Sequence, residues 1–136
     1  MENLRYFGRL YGIVGDARCE EAIRSVGLDP TLTRAVGQYS QGMRQRMSLA
    51  RAILHDPRVL LLDEPARSVD AEFAARIADV IRHAAHYRGA TVILVSHSPE
   101  EVRNLCDRSL LLDRGRLLHV TAPRKPAVAA HTAVGR

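Results

Sequence analysis

A short apolar run that ends in two acidic residues constrains the fold of this chain more than any other feature. Residues 59–62, Val-Leu-Leu-Leu, contain no polar position, which is typical of a parallel β-strand covered on both faces. Asp63 and Glu64 follow at the carboxyl end, where open α/β sheets place their ligands, and Pro65 ends the strand. Such a pair suits magnesium binding and water activation, but two surface acids after a core strand would give the same pattern.

The segment before this strand favours the ligand-binding interpretation. Ser40 is a good N-cap, and Gly42 has no side chain to block the approach of a ligand. A helix amino terminus with a hydroxyl group and free N–H groups is a ready phosphate site. The predicted helix has an apolar stripe formed by Met43, Met47, Ala50 and Leu54. Three arginines lie off that stripe and are expected to form a solvated face: Arg44, Arg46 and Arg51.

Together the two segments resemble ABC-type ATPases. Residues 39–54, YSQGMRQRMSLARAIL, look like the signature segment of that family, and residues 59–65, VLLLDEP, look like its Walker B strand. The resemblance extends from about Glu2 to Val120 and is closest to the ATP-binding subunits of bacterial ABC exporters. It implies an α/β fold, a partial P-loop NTPase (RecA-like) core with a parallel sheet, accompanied by part of the ABC helical subdomain.

The resemblance also divides the chain into three parts. Residues 1–35 would be part of the helical subdomain that contacts membrane subunits. Residues 36–120 would hold the signature helix and the carboxyl-terminal half of the ATPase core. From Thr121 the composition shifts to Ala, Pro and Arg without periodicity, which predicts a loose tail over residues 121–136.

Local patterns predict the other elements. They are a helix over residues 2–12, a helix capped by Asp16 and stopped by Gly27, a long helix from Asp70 to Gly89, a second buried strand over Thr91–Ser96, a helix capped by Ser98, and a hairpin turning at Asp113–Arg116. His83 and His86 lie one turn apart on the long helix. Because no further ligands are evident, they are expected to be surface residues rather than a metal site.

The resemblance implies three residues for the chemistry. Asp63 would help to hold Mg²⁺, and Glu64 would polarise the attacking water. His97, at the carboxyl end of the second strand and beside the presumed position of Glu64, would be the switch histidine that contacts the γ-phosphate of ATP. A single histidine at a strand end is usually structural, but the Walker B context favours the functional role here.

It also implies a nucleotide-binding set consisting of Ser40, Gln41, Gly42 and Asp70. Ser40 and Gly42 would touch the γ-phosphate of ATP bound to the opposite subunit of a dimer, and Asp70 would end the D-loop. Where the family usually has Leu-Ser-Gly-Gly-Gln, this chain has Tyr-Ser-Gln-Gly-Met, which keeps the serine and the second glycine. The D-loop departs further, since Arg67 stands where a small hydroxyl residue is usual.

The 136 residues contain no phosphate loop of the form GxxxxGK[ST]. The single lysine, Lys125, is followed by a proline, and the family's glutamine loop is absent too. We therefore expect the amino-terminal half to be lost, separately encoded or outside this sequence, and the purified chain to hydrolyse negligible ATP. Without its neighbour, strand 91–96 would present an unpaired edge, which predicts marginal stability and self-association.

Three functions remain open at this point. The leading one is a truncated ABC transporter ATPase subunit that uses ATP and Mg²⁺ and works with membrane subunits and a second ATPase subunit, in a homo- or heterodimer. The alternative is a degenerate or regulatory half-subunit that docks on a full ATPase without turnover, which the altered D-loop favours. The third is a soluble ABC-type ATPase acting on DNA or ribosomes, but long coiled coils or a second ATPase unit would then be expected.

Composition disfavours several other classes. The net charge is +5, yet acidic and basic residues are interspersed and only 4% of residues are aromatic, so no nucleic-acid partner is predicted. No apolar run approaches the roughly 20 residues of a membrane span, and the amino terminus has no signal-peptide pattern. The expected location is the cytoplasm, peripheral at the inner face of the cell membrane through the membrane subunits.

Overall fold

The part of the chain that the structure describes begins with helices, then alternates strands with helices, and ends in a pair of strands. The computed structural model describes residues 1–120 of the 136. Its elements are α1 (Glu2–Leu10), α2 (Ala17–Ser25), a 3₁₀ turn (Val36–Gln38), α3 (Gln41–Ile53), β1 (Val59–Asp63), α4 (Ala71–Arg82), a π-helical turn (His83–Tyr87), β2 (Thr91–Val95), α5 (Pro99–Leu105), β3 (Leu110–Asp113) and β4 (Arg116–Val120). This order confirms the expected α/β class. No helix in residues 1–120 has the length and apolar character needed to cross a membrane.

Two compact units divide the chain. The first spans Met1–His97 and contains α1 to α4 with β1 and β2, and the second begins at Ser98 and contains α5, β3 and β4. In the second unit β3 and β4 form the predicted antiparallel hairpin, with Arg114 and Gly115 at positive φ in a two-residue turn. The predicted loose tail, residues 121–136, lies outside the described residues.

The sheet of the first unit is a parallel pair. β1 and β2 align from Val59 opposite Thr91 to Asp63 opposite Val95, with α4 as the connection between them. Leu60 and Leu62 are buried on the inner face. The outer face is apolar and exposed, and its four large side chains are Val59, Leu61, Ile93 and Val95, each more than half accessible to solvent.

The prediction of strands covered on both faces is therefore wrong. Burial of β1 alternates along its five residues, because only its inner face lies against the core of the first unit. The sequence of β1 is apolar at both faces nonetheless. A strand with that composition is expected to be covered on its outer face as well.

We expect this outer face to drive self-association of the isolated chain. Leu61 is 69% exposed and Ile93 lies directly opposite it, so replacing both by lysine removes apolar surface without opening a cavity in the core. Sedimentation of the wild type should show mass above 15.1 kDa that rises with concentration, and the double variant should sediment as a monomer. A wild-type chain that stays monomeric at all concentrations would contradict this.

The core of the first unit follows the predicted helical stripes. On α2 the buried positions are Cys19, Ala22, Ile23 and Val26, on α3 they include Met47, Ala50 and Leu54, and on α4 and its continuation they are Phe73, Ile77, Val80, Ile81 and Ala84. Burial of these side chains is the main driving force for packing the helices.

The helix caps agree with the sequence at two of three positions. Ser40 and Ser98 accept backbone hydrogen bonds from residues three positions later, at 3.2 Å each, which confirms both predicted caps. Asp16 does precede α2, but its carboxylate makes no cap. It accepts two hydrogen bonds from Arg5 instead, at 2.7 and 2.6 Å, and this pairing holds the pKa of Asp16 below its ordinary value.

Gly27 ends α2 with a positive φ of 70° in a crowded position. A Cβ atom there would lie 2.8 Å from Arg76 Nε and 2.9 Å from Arg46 Nη1. We expect Gly27→Ala to destabilise the fold by roughly 2 kcal/mol or more, since a left-handed alanine alone costs about 1–2 kcal/mol. Gly12→Ala is the control in urea unfolding, because Gly12 has a similar φ of 72° with open space around it. Equal losses of stability in the two variants would contradict a contribution from the steric clash at position 27.

Candidate functional site

The carboxyl ends of β1 and β2 bring the predicted catalytic residues together. Asp63 is the last residue of β1 and pairs with Val95, the last residue of β2. The amide of Glu64 then donates a hydrogen bond of 2.9 Å to the carbonyl of Val95, so the two strand ends remain tied one residue beyond the sheet. His97 follows β2 by two residues. The side chains of Glu64 and His97 therefore emerge at the same edge.

Glu64 and His97 are in direct contact. His97 Nε2 lies 2.7 Å from Glu64 Oε1. Because a carboxylate can only accept, Nε2 carries the hydrogen and donates it. The Glu64 side chain is 18% exposed and that of His97 is 87% exposed, so the acid is held at the base of the site while the imidazole faces solvent. Glu64 has a positive φ of 45°, a sparsely populated conformation for a residue with a side chain.

An open depression lies beside this pair. It is lined by Gln41 and Gln45 from α3 and by Asp63, Glu64, Arg67 and Ser68 from the end of β1 and the turn after it. Gln45 Nε2 donates a hydrogen bond of 2.7 Å to the carbonyl of Pro65, which joins α3 to that turn. The start of the signature-like helix and the acidic strand end thus face one space within a single chain.

Ser40 and Gly42 lie at the start of α3 rather than in the lining of this depression. The Ser40 hydroxyl oxygen accepts from the Met43 amide, which leaves its hydroxyl hydrogen available to a ligand. A Cβ atom on Gly42 would meet nothing within 4 Å, and its φ is not in the left-handed region. Nothing within residues 1–120 therefore requires glycine at position 42.

Asp70 has a clear structural role. It caps α4 by accepting a hydrogen bond of 2.7 Å from the Phe73 amide, and Arg46 Nη2 lies 3.2 Å from its other oxygen. The hydrogen bond from Phe73, together with the nearby Arg46 guanidinium, holds the pKa of Asp70 below its ordinary value. The residue predicted to end the D-loop thus also begins the next helix.

Arg46 contradicts the expectation of a solvated arginine face. Its side chain is only 16% exposed, its guanidinium lies 4.3 Å from the centroid of the Phe73 ring, and Nη1 donates to the carbonyl of Val26 at 3.3 Å. Arg44 and Arg51 are engaged as well, the first with the carbonyl of Tyr39 and the second over the ring of Phe7. Helical spacing placed all three off the apolar stripe, and no local signal indicates their distant partners.

The residues of the site suit magnesium bound together with a nucleotide rather than a metal held by protein alone. Within residues 1–120, no three His, Cys, Asp or Glu side chains are grouped closely enough to hold a metal, and His83 and His86 are exposed as predicted. Mg²⁺ is usually bound by one or two carboxylates, water and substrate phosphates. The exposed carboxylate of Asp63 at the strand end suits that role.

The chain is similar to the ATP-binding proteins of ABC transporters. A family model described as "ABC transporter" matches residues 2–67. The chain is 37% identical over 116 residues to the ABC transporter ATP-binding protein YdbJ and 36% identical over 121 residues to NatA, both of Bacillus subtilis. It is 37% identical over 126 residues to the Nod factor export ATP-binding protein I of a Rhizobium species.

These matches cover most of this chain and less than half of each relative. The alignments include 85%, 87% and 90% of this chain but only 38%, 49% and 41% of YdbJ, NatA and the Nod factor protein. Among solved structures, the dimeric ATP-binding cassette MJ0796 bound to ADP and Pi aligns with a TM-score of 0.72 and 25% identity. That alignment covers 79% of this chain and 47% of the cassette.

Proposed function

Because this chain belongs to the ABC transporter family of ATP-binding proteins, we propose that it is the carboxyl-terminal part of a subunit that binds and hydrolyses ATP to power transport across a membrane. The observation that carries this proposal is the contact between Glu64 and His97 beside Asp63, at the carboxyl ends of two parallel strands. Parallel sheets of this kind bind nucleotides at that edge.

Each acid has a distinct part in the proposed reaction. Glu64 accepts a hydrogen bond from the attacking water and takes up its proton, as a general base does. His97 donates to Oε1 and so orients the carboxylate. Asp63 would hold Mg²⁺, which would neutralise negative charge on the phosphates when bound with ATP.

The start of α3 supplies the second half of the proposed binding site. The hydroxyl hydrogen of Ser40, the first amide groups of the helix and the side chain of Gln41 are all donors that suit a phosphate group. We assign these groups and Gly42 to a nucleotide held by a second ATPase subunit, identical or different. The dimeric state of the MJ0796 cassette supports that arrangement.

The partners proposed are therefore a second ATPase subunit and the membrane subunits of a transporter. The chain would work in the cytoplasm, peripheral at the inner face of the membrane through those subunits, with no nucleic acid. The name of the Rhizobium relative supports export as the direction of transport. The transported substrate would be chosen by the membrane subunits.

The test of this function compares the purified chain with an assembled ATPase. The assembled ATPase is this chain together with a phosphate loop, which comes either from the same polypeptide or from a partner. Residues 1–136 contain no phosphate loop, so the purified chain should release no phosphate from ATP above background. The assembly recovered from cells through an affinity tag on the chain should hydrolyse ATP. An assembly without ATPase activity would contradict the proposal.

Gly42→Ala separates ligand binding from stability. Alanine has room at this position, and in a helix it is favoured over glycine by roughly 0.5–1 kcal/mol, so the variant should be no less stable than the wild type in urea. If a nucleotide lies against Gly42, the added methyl group blocks it, and turnover by the assembled ATPase should fall severalfold or more. Full turnover with unchanged stability would remove Gly42 from the binding site.

One contact favours the alternative of a regulatory half-subunit without turnover. Arg67 Nη1 lies 3.6 Å from Glu64 Oε2, on the carboxylate that the reaction needs free. In that case the chain would complete the ATP site of a full ATPase through the start of α3, and its own Glu64 would be dispensable. Substitution of Glu64 by glutamine decides between the two functions.

A further inference from the structure

The arginine that departs from the family's D-loop pattern contacts the proposed catalytic acid. Glu64 and Arg67 are the first and fourth residues of a turn that is closed by a hydrogen bond of 3.0 Å from the Arg67 amide to the Glu64 carbonyl. This turn brings the side chain of Arg67 back over Glu64, and Nη1 reaches to 3.6 Å from Oε2. Serine or threonine at position 67 would be too short to make this contact.

His97 and Arg67 together engage both oxygens of the Glu64 carboxylate. His97 Nε2 is 2.7 Å from Oε1, and Arg67 lies on the side of Oε2. General-base catalysis requires one oxygen within hydrogen-bond reach of water. The Glu64 side chain is only 18% exposed, so little of it is accessible to water.

Since the proposed function makes Glu64 the general base, we propose that Arg67 is an autoinhibitory clamp on it. The clamp keeps Oε2 from accepting a hydrogen bond from water while the depression holds no phosphate, and it opens when the Arg67 guanidinium moves to a phosphate group. Arg67 is a positioning residue in this scheme, because it acts through Glu64.

The exposure and position of the Arg67 side chain allow the clamp to open. The Arg67 side chain is 74% exposed and lines the same depression as Gln41 and Asp63. Ion pairs this exposed are weak and are screened by salt. A phosphate group accepts two parallel hydrogen bonds from one guanidinium, which makes it a stronger partner for arginine than the longer contact with Oε2.

The first test measures access to Glu64 in the purified chain and needs no ATPase activity. A water-soluble carbodiimide adds to a carboxyl group, and glycine ethyl ester then displaces the urea to form an amide, which mass spectrometry locates. We expect Glu64 to be labelled severalfold faster in Arg67→Ser than in the wild type, and Arg67→Lys to stay closer to the wild type. Arg58→Ser, at the other end of β1, is the matched control and should leave the rate unchanged.

The second test asks whether the clamp is inhibitory. In the assembled ATPase, Arg67→Ser should raise turnover measured below saturating ATP, while Arg67→Lys should change it less. Equal labelling of Glu64 in the wild type and in folded Arg67→Ser would overturn the clamp, and unchanged or lower turnover in Arg67→Ser would overturn its inhibitory role. Failure of the proposed function would give a different result, because Glu64→Gln would then leave turnover intact, whatever the labelling rates.

Discussion

Glu64→Gln should lower ATP turnover by the assembled ATPase at least about 100-fold, the usual size of a general-base contribution. The amide has the same shape as the carboxylate, and its oxygen can still accept the hydrogen bond that His97 donates to Oε1. What it loses is the capacity to take up a proton from water. Phosphate release at saturating ATP measures this loss, because binding of the nucleotide does not depend on the proton acceptor.

Glu72→Gln is the matched control for that experiment. Glu72 is an exposed acid in the first turn of α4, 3.0 Å from Arg76 in an ion pair of the kind that contributes little to stability. Its replacement should leave turnover within a factor of about two of the wild type, since surface substitutions of this kind change little. If Glu64→Gln were as active as this control, Glu64 would not be the general base, and the regulatory half-subunit would be the better account.

Local sequence patterns were sufficient to predict the elements that position this site. The apolar run before Asp63 and the serine at position 40 are short-range signals, and β1 and α3 begin where those signals predict. The proximity of Glu64 and His97 was predicted from the resemblance and from the rule that parallel strands end at one edge of the sheet. These predictions depend on neighbours in sequence or on a repeated topology.

The predictions that failed depend on distant partners. Residues 59–62 carry no mark of which face stays exposed, because both faces are apolar. Aspartate is a residue type that often caps a helix, but the Asp16 carboxylate accepts a hydrogen bond from Arg5, eleven positions earlier, instead. Arg46 lies off the helical stripe, yet its partners come from α2 and α4. Periodicity reports the side of a helix on which a residue lies, and it does not report what packs against that side.

Arg46 makes such distant contacts with two other helical segments. Its guanidinium joins the end of α2, through the carbonyl of Val26, to the start of α4, through Phe73 and Asp70. We expect Arg46→Ala to destabilise the first unit by about 2–4 kcal/mol, from the loss of a mostly buried cation–π contact and of a charged hydrogen bond. Urea unfolding followed by circular dichroism measures the change.

Two other variants show whether the shape of the side chain or its charge is responsible. Arg46→Lys keeps the charge but cannot reach the carbonyl of Val26 and lie flat over Phe73 at once, so it should recover only a minor part of the loss. Arg44→Ala removes an exposed arginine two residues away and should cost about 1 kcal/mol or less. Equal losses in Arg46→Ala and Arg44→Ala would contradict the bridging role. If the role holds, the loss of Arg46 also removes its contact with Asp70 at the start of α4, while the Gln45 hydrogen bond to Pro65 still holds the turn that carries Glu64 and Arg67.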